Sequence, residues 1–129
     1  MGTGAVVHYG SDWIATHWDG DPKNLGKDLQ KQITKEVNEA KKHWGKEWNK
    51  MKSIVIQGAF HRAVFKTGAD HQIDFVSTMG KKDFDKQYGD YGEYEYEIDS
   101  NTGKIKFRER EGDWSKGKAG AWKKLEKVI

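Results

Sequence analysis

Thr16-His17-Trp18-Asp19-Gly20-Asp21-Pro22 marks the place where an apolar run of β character stops and a long segment of helical period begins. The chain's single proline stands at the change. Asp21 has the side chain of a helix N-cap, and Pro22 suits the first helical position, where its missing N–H costs nothing. Strand before this junction and helix after it predict an α+β fold.

Upstream, residues 5–9 and 12–18 read as two strands joined at Gly10-Ser11, with the glycine supplying the positive φ of a tight turn. With Tyr9 opposite Asp12, Val7 meets Ile14 on one face and His8 meets Trp13 on the other. Apolar or aromatic residues on both faces predict a hairpin in the middle of a sheet, covered on both sides.

Downstream, Leu25, Leu29, Ile33, Val37, Ala40, Trp44, Trp48 and Met51 recur at steps of three and four. That period predicts one helix over residues 22–51. Gly45 is its weak point, since glycine costs about 1 kcal/mol relative to alanine inside a helix. Ser53 as a cap predicts a second helix through Phe65, with Ile56, Ala59, Phe60, Ala63 and Val64 on one face. The β-branched start Ile54-Val55-Ile56 leaves a strand open as the alternative.

Residues 67–70 read as a turn and 71–78 as a strand, while the glycine-interrupted stretch 80–91 reads as a loop with one helical turn near Phe84. Residues 92–110 form the clearest hairpin, because Tyr94, Tyr96, Ile98, Ile105 and Phe107 alternate with charged residues around Ser100-Asn101-Thr102-Gly103. Pairing Ile98 with Ile105 sets Glu97 against Lys106, Glu95 against Arg108 and Glu93 against Arg110 on a face expected to meet water. Residues 121–128 predict a short packed helix. The expected whole is one domain over residues 1–129: an antiparallel sheet of two hairpins plus a further strand, packed against one long and one or two shorter helices.

The composition narrows the function classes. Of 129 residues, 35% are hydrophobic, but six Trp, five Tyr and five Phe concentrate the apolar area in large rings, which suits a folded core rather than disorder. The formal net charge of +3 gives no overall drive towards nucleic acid or anionic lipid, so any binding field must be local. The absence of cysteine excludes disulfides, thiol nucleophiles and Cys-ligated zinc, and fits a reducing compartment. With no leader-like start and no apolar run of membrane-spanning length, the expected location is cytoplasmic, away from membranes.

Three constellations are candidates for chemistry. His17, Asp19 and Asp21 can converge on a divalent metal, which would activate water; turn chemistry at Asp19-Gly20 and a capping role for Asp21 account for the same residues. His61, Asp70, His71 and Asp74 contain the His and Asp of an oriented general base, but no nucleophile is marked beside them. Basic and aromatic residues interleave twice: at Trp44 and Trp48 with Lys41, Lys42, Lys46, Lys50 and Lys52, and at Trp114 and Trp122 with Lys116, Lys118, Lys123, Lys124 and Lys127. Such patches can stack bases and contact phosphate, although the first pair of Trp also continues the core stripe of the helix. These two patches are the local positive surfaces where an acidic partner is expected.

The order of features resembles a group of small, mostly uncharacterised proteins of bacteria, phages and archaea. The likeness lies in the Met1-Gly2-Thr3 start leading into a strand through Val7, in the His-Trp-Asp-Gly-x-Pro element at 17–22, and in the Tyr-x-Tyr-x-Ile-Asp strand at 94–99. Where that group commonly has Tyr between Gly and Pro, this chain has Asp21. The resemblance implies an α+β fold and a link with mobile elements, and it transfers no catalytic residue. The resulting expectation is a small, intracellular, non-catalytic accessory factor that binds a macromolecule, either a protein partner or weakly held nucleic acid, and needs no cofactor. The alternative is a metal-assisted hydrolase or nuclease built on His17, Asp19 and Asp21.

Overall fold

A computed structural model describes residues 4–10, 12–16, 20–71, 73–74, 82–83, 86, 93–109 and 120–127. Among the described residues six strands form one sheet: β1 (Ala5–Tyr9), β2 (Asp12–Thr16), β3 (Ile73–Asp74), β4 (Tyr94–Ile98), β5 (Ile105–Glu109) and β6 (Lys123–Lys124). Their order across the sheet is β3-β2-β1-β4-β5-β6. The N-terminal hairpin has the register read from its pattern, Val7 opposite Ile14 and His8 opposite Trp13, and Gly10 turns it at a φ of 57°. In the second hairpin Ile98 faces Ile105, Glu97 faces Lys106 and Glu95 faces Arg108, again as the alternation requires.

The sheet departs from the expected antiparallel form where the hairpins meet. β1 lies parallel to β4, with Val6 beside Glu95 and Val7 beside Tyr96, so the sheet is mixed. A parallel pair needs a long crossover, and the helices between β2 and β4 supply most of it.

The helical segment also differs from one continuous rod to Met51. Its first turn, Pro22–Gly26, is wound in the wider π form with Pro22 at its start. Helix α1 (Lys27–Trp44) then runs to Gly45, where φ of 50° and ψ of −113° end it. After one 3-10 turn, Gly45–Glu47, helix α2 (Trp48–His71) folds back along α1. The Arg62 guanidinium binds the Glu36 carboxylate across the pair. Glycine is suited to this corner because a side chain there would strain the backbone.

The strand alternative over residues 53–65 is thus excluded, and the expected turn at 67–70 is the last part of α2. Ser53 lies inside the helix rather than capping it, and its carbonyl accepts a hydrogen bond from the Tyr9 hydroxyl at 3.2 Å. His71 ends α2, so the third strand is confined to Ile73–Asp74 among the described residues of the expected 71–78. In place of a helix over 121–128 the chain forms the edge strand β6 and one 3-10 turn, Leu125–Lys127, which buries Leu125. The expected loop at 80–91 lies outside the described residues except for 82–83 and 86, as does Arg110, the expected partner of Glu93.

Both helices pack on one face of the sheet. Leu25, Leu29, Ile33 and Val37 from the first helical run meet Ile56, Ala59, Phe60 and Ala63 of α2, and both sets close over Val7, Ile14, Tyr96, Ile105 and Phe107. The period-2 and period-3.6 patterns therefore bury their apolar faces against each other. Trp44 leaves this stripe and stands exposed at the end of α1, because the corner at Gly45 comes before the sheet can cover it. Among the described residues no helix is long and apolar enough to cross a membrane.

Candidate functional site

The second face of the sheet carries the polar chemistry. Strand alternation places Val6, His8, Trp13 and Ala15 there, with Glu95 and Glu97 from β4 and Lys106 and Arg108 from β5. Although this face was expected to meet water at Glu95, that residue is only 2% exposed and His8 only 8%. The parallel alignment explains the difference, since it sets β4 against the fully buried β1.

His8 Nε2–H donates to Glu95 Oε2 at 2.8 Å, and Arg108 Nε–H donates to Glu95 Oε1 at 2.7 Å. Burial by itself pushes the Glu95 carboxyl up, but the hydrogen bonds and positive charges of His8 and Arg108 outweigh it and hold the group below the ordinary carboxylate range. The acid is thereby kept ionised as a shared counter-ion.

Aromatic rings bracket this cluster. The Trp13 indole stacks on the His8 ring with centroids 4.0 Å apart, and Trp122 stands edge-on to the same imidazole at 6.5 Å. The Arg108 guanidinium lies 4.4 Å from the Trp122 centroid and the Lys106 ammonium 4.8 Å, both within range of a cation–π contact. Trp122 is half-buried, whereas Lys123 and Lys124 on the edge strand are exposed.

Beside this edge is a cleft of about 240 Å³ lined by Gln30, Thr102, Ile105 and both signs of charge. Lys104, Lys106 and Lys124 line it together with Glu97, Asp99 and Glu126. Lys106 reaches Glu97 at 3.6 Å and Lys104 reaches Glu126 at 3.9 Å. Asp99 is held by the hairpin turn, where its Oδ1 accepts the Asn101 and Thr102 N–H groups at 2.7 and 3.0 Å. Gln30 fixes the other wall by accepting the Ile105 N–H at 3.1 Å.

The structure divides the constellations expected from sequence. His17 and Asp19 lie outside the described residues, while Asp21 sits at the N-cap position but gives no side-chain cap; its carboxylate accepts the Asn24 side-chain amide at 2.8 and 3.1 Å. The helix start is held instead by the Asp21 carbonyl, which accepts the Asn24 N–H at 3.1 Å. Among the described residues, no three His, Asp or Glu side chains are placed to share a metal ion. His61 pairs with Asp12 at 3.0 Å; Asp70 and His71 end α2, and Asp74 lies on β3.

Of the terminal basic–aromatic patch, Trp122 meets Lys106 and Arg108, Lys123 and Lys124 form the edge strand on opposite faces of the sheet, and Trp114, Lys116 and Lys118 lie outside the described residues. His8, Glu95 and Arg108 were missed as a unit. Their hairpin registers were readable, but only the β1–β4 alignment brings His8 to Glu95. Compared with models of known families, with curated proteins and with solved structures, the chain matches none of them.

Proposed function

We propose that this chain is a non-catalytic protein that binds another macromolecule at the β5–β6 edge, with a protein partner as the best-fitting occupant. The observation that carries the reading is Trp122, half-buried under Lys106 and Arg108, with Lys106 also lining a cleft of mixed acid and base. Trp and Arg are the side chains that most often dominate the energy of protein interfaces. A polyanion brought to this surface would meet Glu97, Asp99 and Glu126 along with the lysines, whereas a partner of mixed charge can complement both signs.

The state of Glu95 supports a non-catalytic role. Its oxygens are committed to His8 and Arg108 and its carboxyl is held low, which are properties of a fixed counter-ion rather than of a base poised near neutral pH. The resemblance of residues 1–7, 17–22 and 94–99 to small phage, bacterial and archaeal proteins supports a place among accessory factors of mobile elements.

The test places a photo-crosslinking side chain at position 124, identifies the captured protein and reconstitutes the pair from purified components. Trp122→Ala is expected to weaken that pair by roughly thirtyfold, as loss of an interface hot spot does. An affinity unchanged by Trp122→Ala, or capture of nucleic acid alone, would overturn the reading.

A further inference from the structure

The corner between the helices carries features that the sheet edge does not use. Residues 41–47 are all exposed; beyond them Trp48 packs half-buried against the core, and Ile56 is the next fully buried residue. Among the described residues the exposed large hydrophobic side chains are Trp44 at 37% and Ile54 at 65%, and both belong to this helical hairpin. The same stretch of chain carries Lys41, Lys42, Lys46, Lys50 and Lys52, against Glu47, paired with Lys50 at 3.5 Å, as the one acid between positions 41 and 52. The Lys41 ammonium lies 5.6 Å from the Trp48 ring centroid, and His43 meets Trp44 edge-on at 5.0 Å.

We infer that this corner is a binding site for an anionic lipid surface, engaged peripherally. A group of four to eight basic side chains on an amphipathic helix is sufficient to draw it to acidic headgroups. Charge alone would not explain the exposed indole and the exposed aliphatic side chain within the same group. Both partition into the boundary between headgroups and acyl chains, and the two signals together give reversible attachment.

Single-stranded nucleic acid is the less suitable partner. Ile54, the more exposed of the two apolar side chains, offers no ring for a base to stack on. The field is local, in keeping with a net charge of only +3 for the whole chain. This site shares no residue with the Trp122 edge, so the two readings stand or fall separately.

The experiment is flotation of the purified full chain with vesicles of phosphatidylcholine alone or of equimolar phosphatidylcholine and phosphatidylserine. The chain is expected to float with the anionic vesicles only, and less as salt rises. Lys42→Glu with Lys46→Glu should lower the partition by roughly 25-fold or more, at about fivefold for each lysine near an anionic surface. Ile54→Gln should lower it severalfold, and Trp122→Ala should leave it unchanged. The substituted hairpin residues are exposed, and an unaltered far-ultraviolet circular dichroism spectrum checks that each variant is folded. Absence of flotation, equal flotation with both vesicles, or full binding by the folded charge-reversal variant would overturn the proposal. So would binding of single-stranded DNA that the same substitutions abolish while vesicles remain unbound.

Discussion

At the scale of single residues, Glu95 connects burial most directly to a measurable property. An ionised carboxylate so far from water is tolerated because His8 and Arg108 both donate to it. Its folded-state pKa is lowered from an ordinary value of 4.5. The associated stability is therefore complete above about 4.5 and is lost as pH falls through the lowered value in the folded chain. Glu95→Gln should cost about 3 kcal/mol at neutral pH, the lower end for breaking a buried pair, because the Arg108 side chain retains some contact with water. It should also flatten the acid limb of stability below pH 4.5. Urea unfolding of both proteins from neutral to acidic pH checks this, and parallel curves would show that Glu95 is not the group responsible.

At the scale of elements, Gly45 separates two descriptions of the helical segment by the sign of one substitution. In a continuous helix over 22–51, Gly45→Ala would add about 1 kcal/mol of stability through helix propensity. At the observed φ of 50° and ψ of −113° it should instead cost roughly 1–3 kcal/mol, the strain of a side chain in that conformation. Thermal unfolding distinguishes the two at once. The same residue shows where sequence reading reached its limit: the stripe from Leu25 to Met51 keeps helical period across Gly45, so periodicity alone cannot register a reversal of direction. Local alternation did specify both hairpins, down to Val7 opposite Ile14 and Ile98 opposite Ile105. It could not specify that β1 lies parallel to β4, because no local pattern encodes which strands of separate hairpins become neighbours. Of the candidate site, Trp122, Lys123 and Lys124 simply follow one another in the sequence, whereas the His8–Glu95 contact depends on that long-range alignment.

At the scale of the whole molecule, the strand order sets a gradient of protection across the sheet. β1 is paired on both edges and buried along its full length, whereas β6 is a two-residue edge strand with exposed side chains. Native-state hydrogen exchange should therefore be slowest at Val6, Val7 and His8 and fast at Lys123 and Lys124. Comparable rates at the two places would contradict the central position of β1. That position has a further bearing on how the chain reaches its fold. The His8–Glu95 contact spans 87 residues, so the middle of the sheet has high contact order and closes only after a large loop has been crossed. The N-terminal hairpin and the two helices can form earlier from contacts nearer in sequence. During that interval one edge of β1 carries unpaired backbone N–H and C=O groups between apolar side chains, a template to which another nascent copy can add its own strand. Docking of β4 thus removes that template as well as completing the middle of the native sheet.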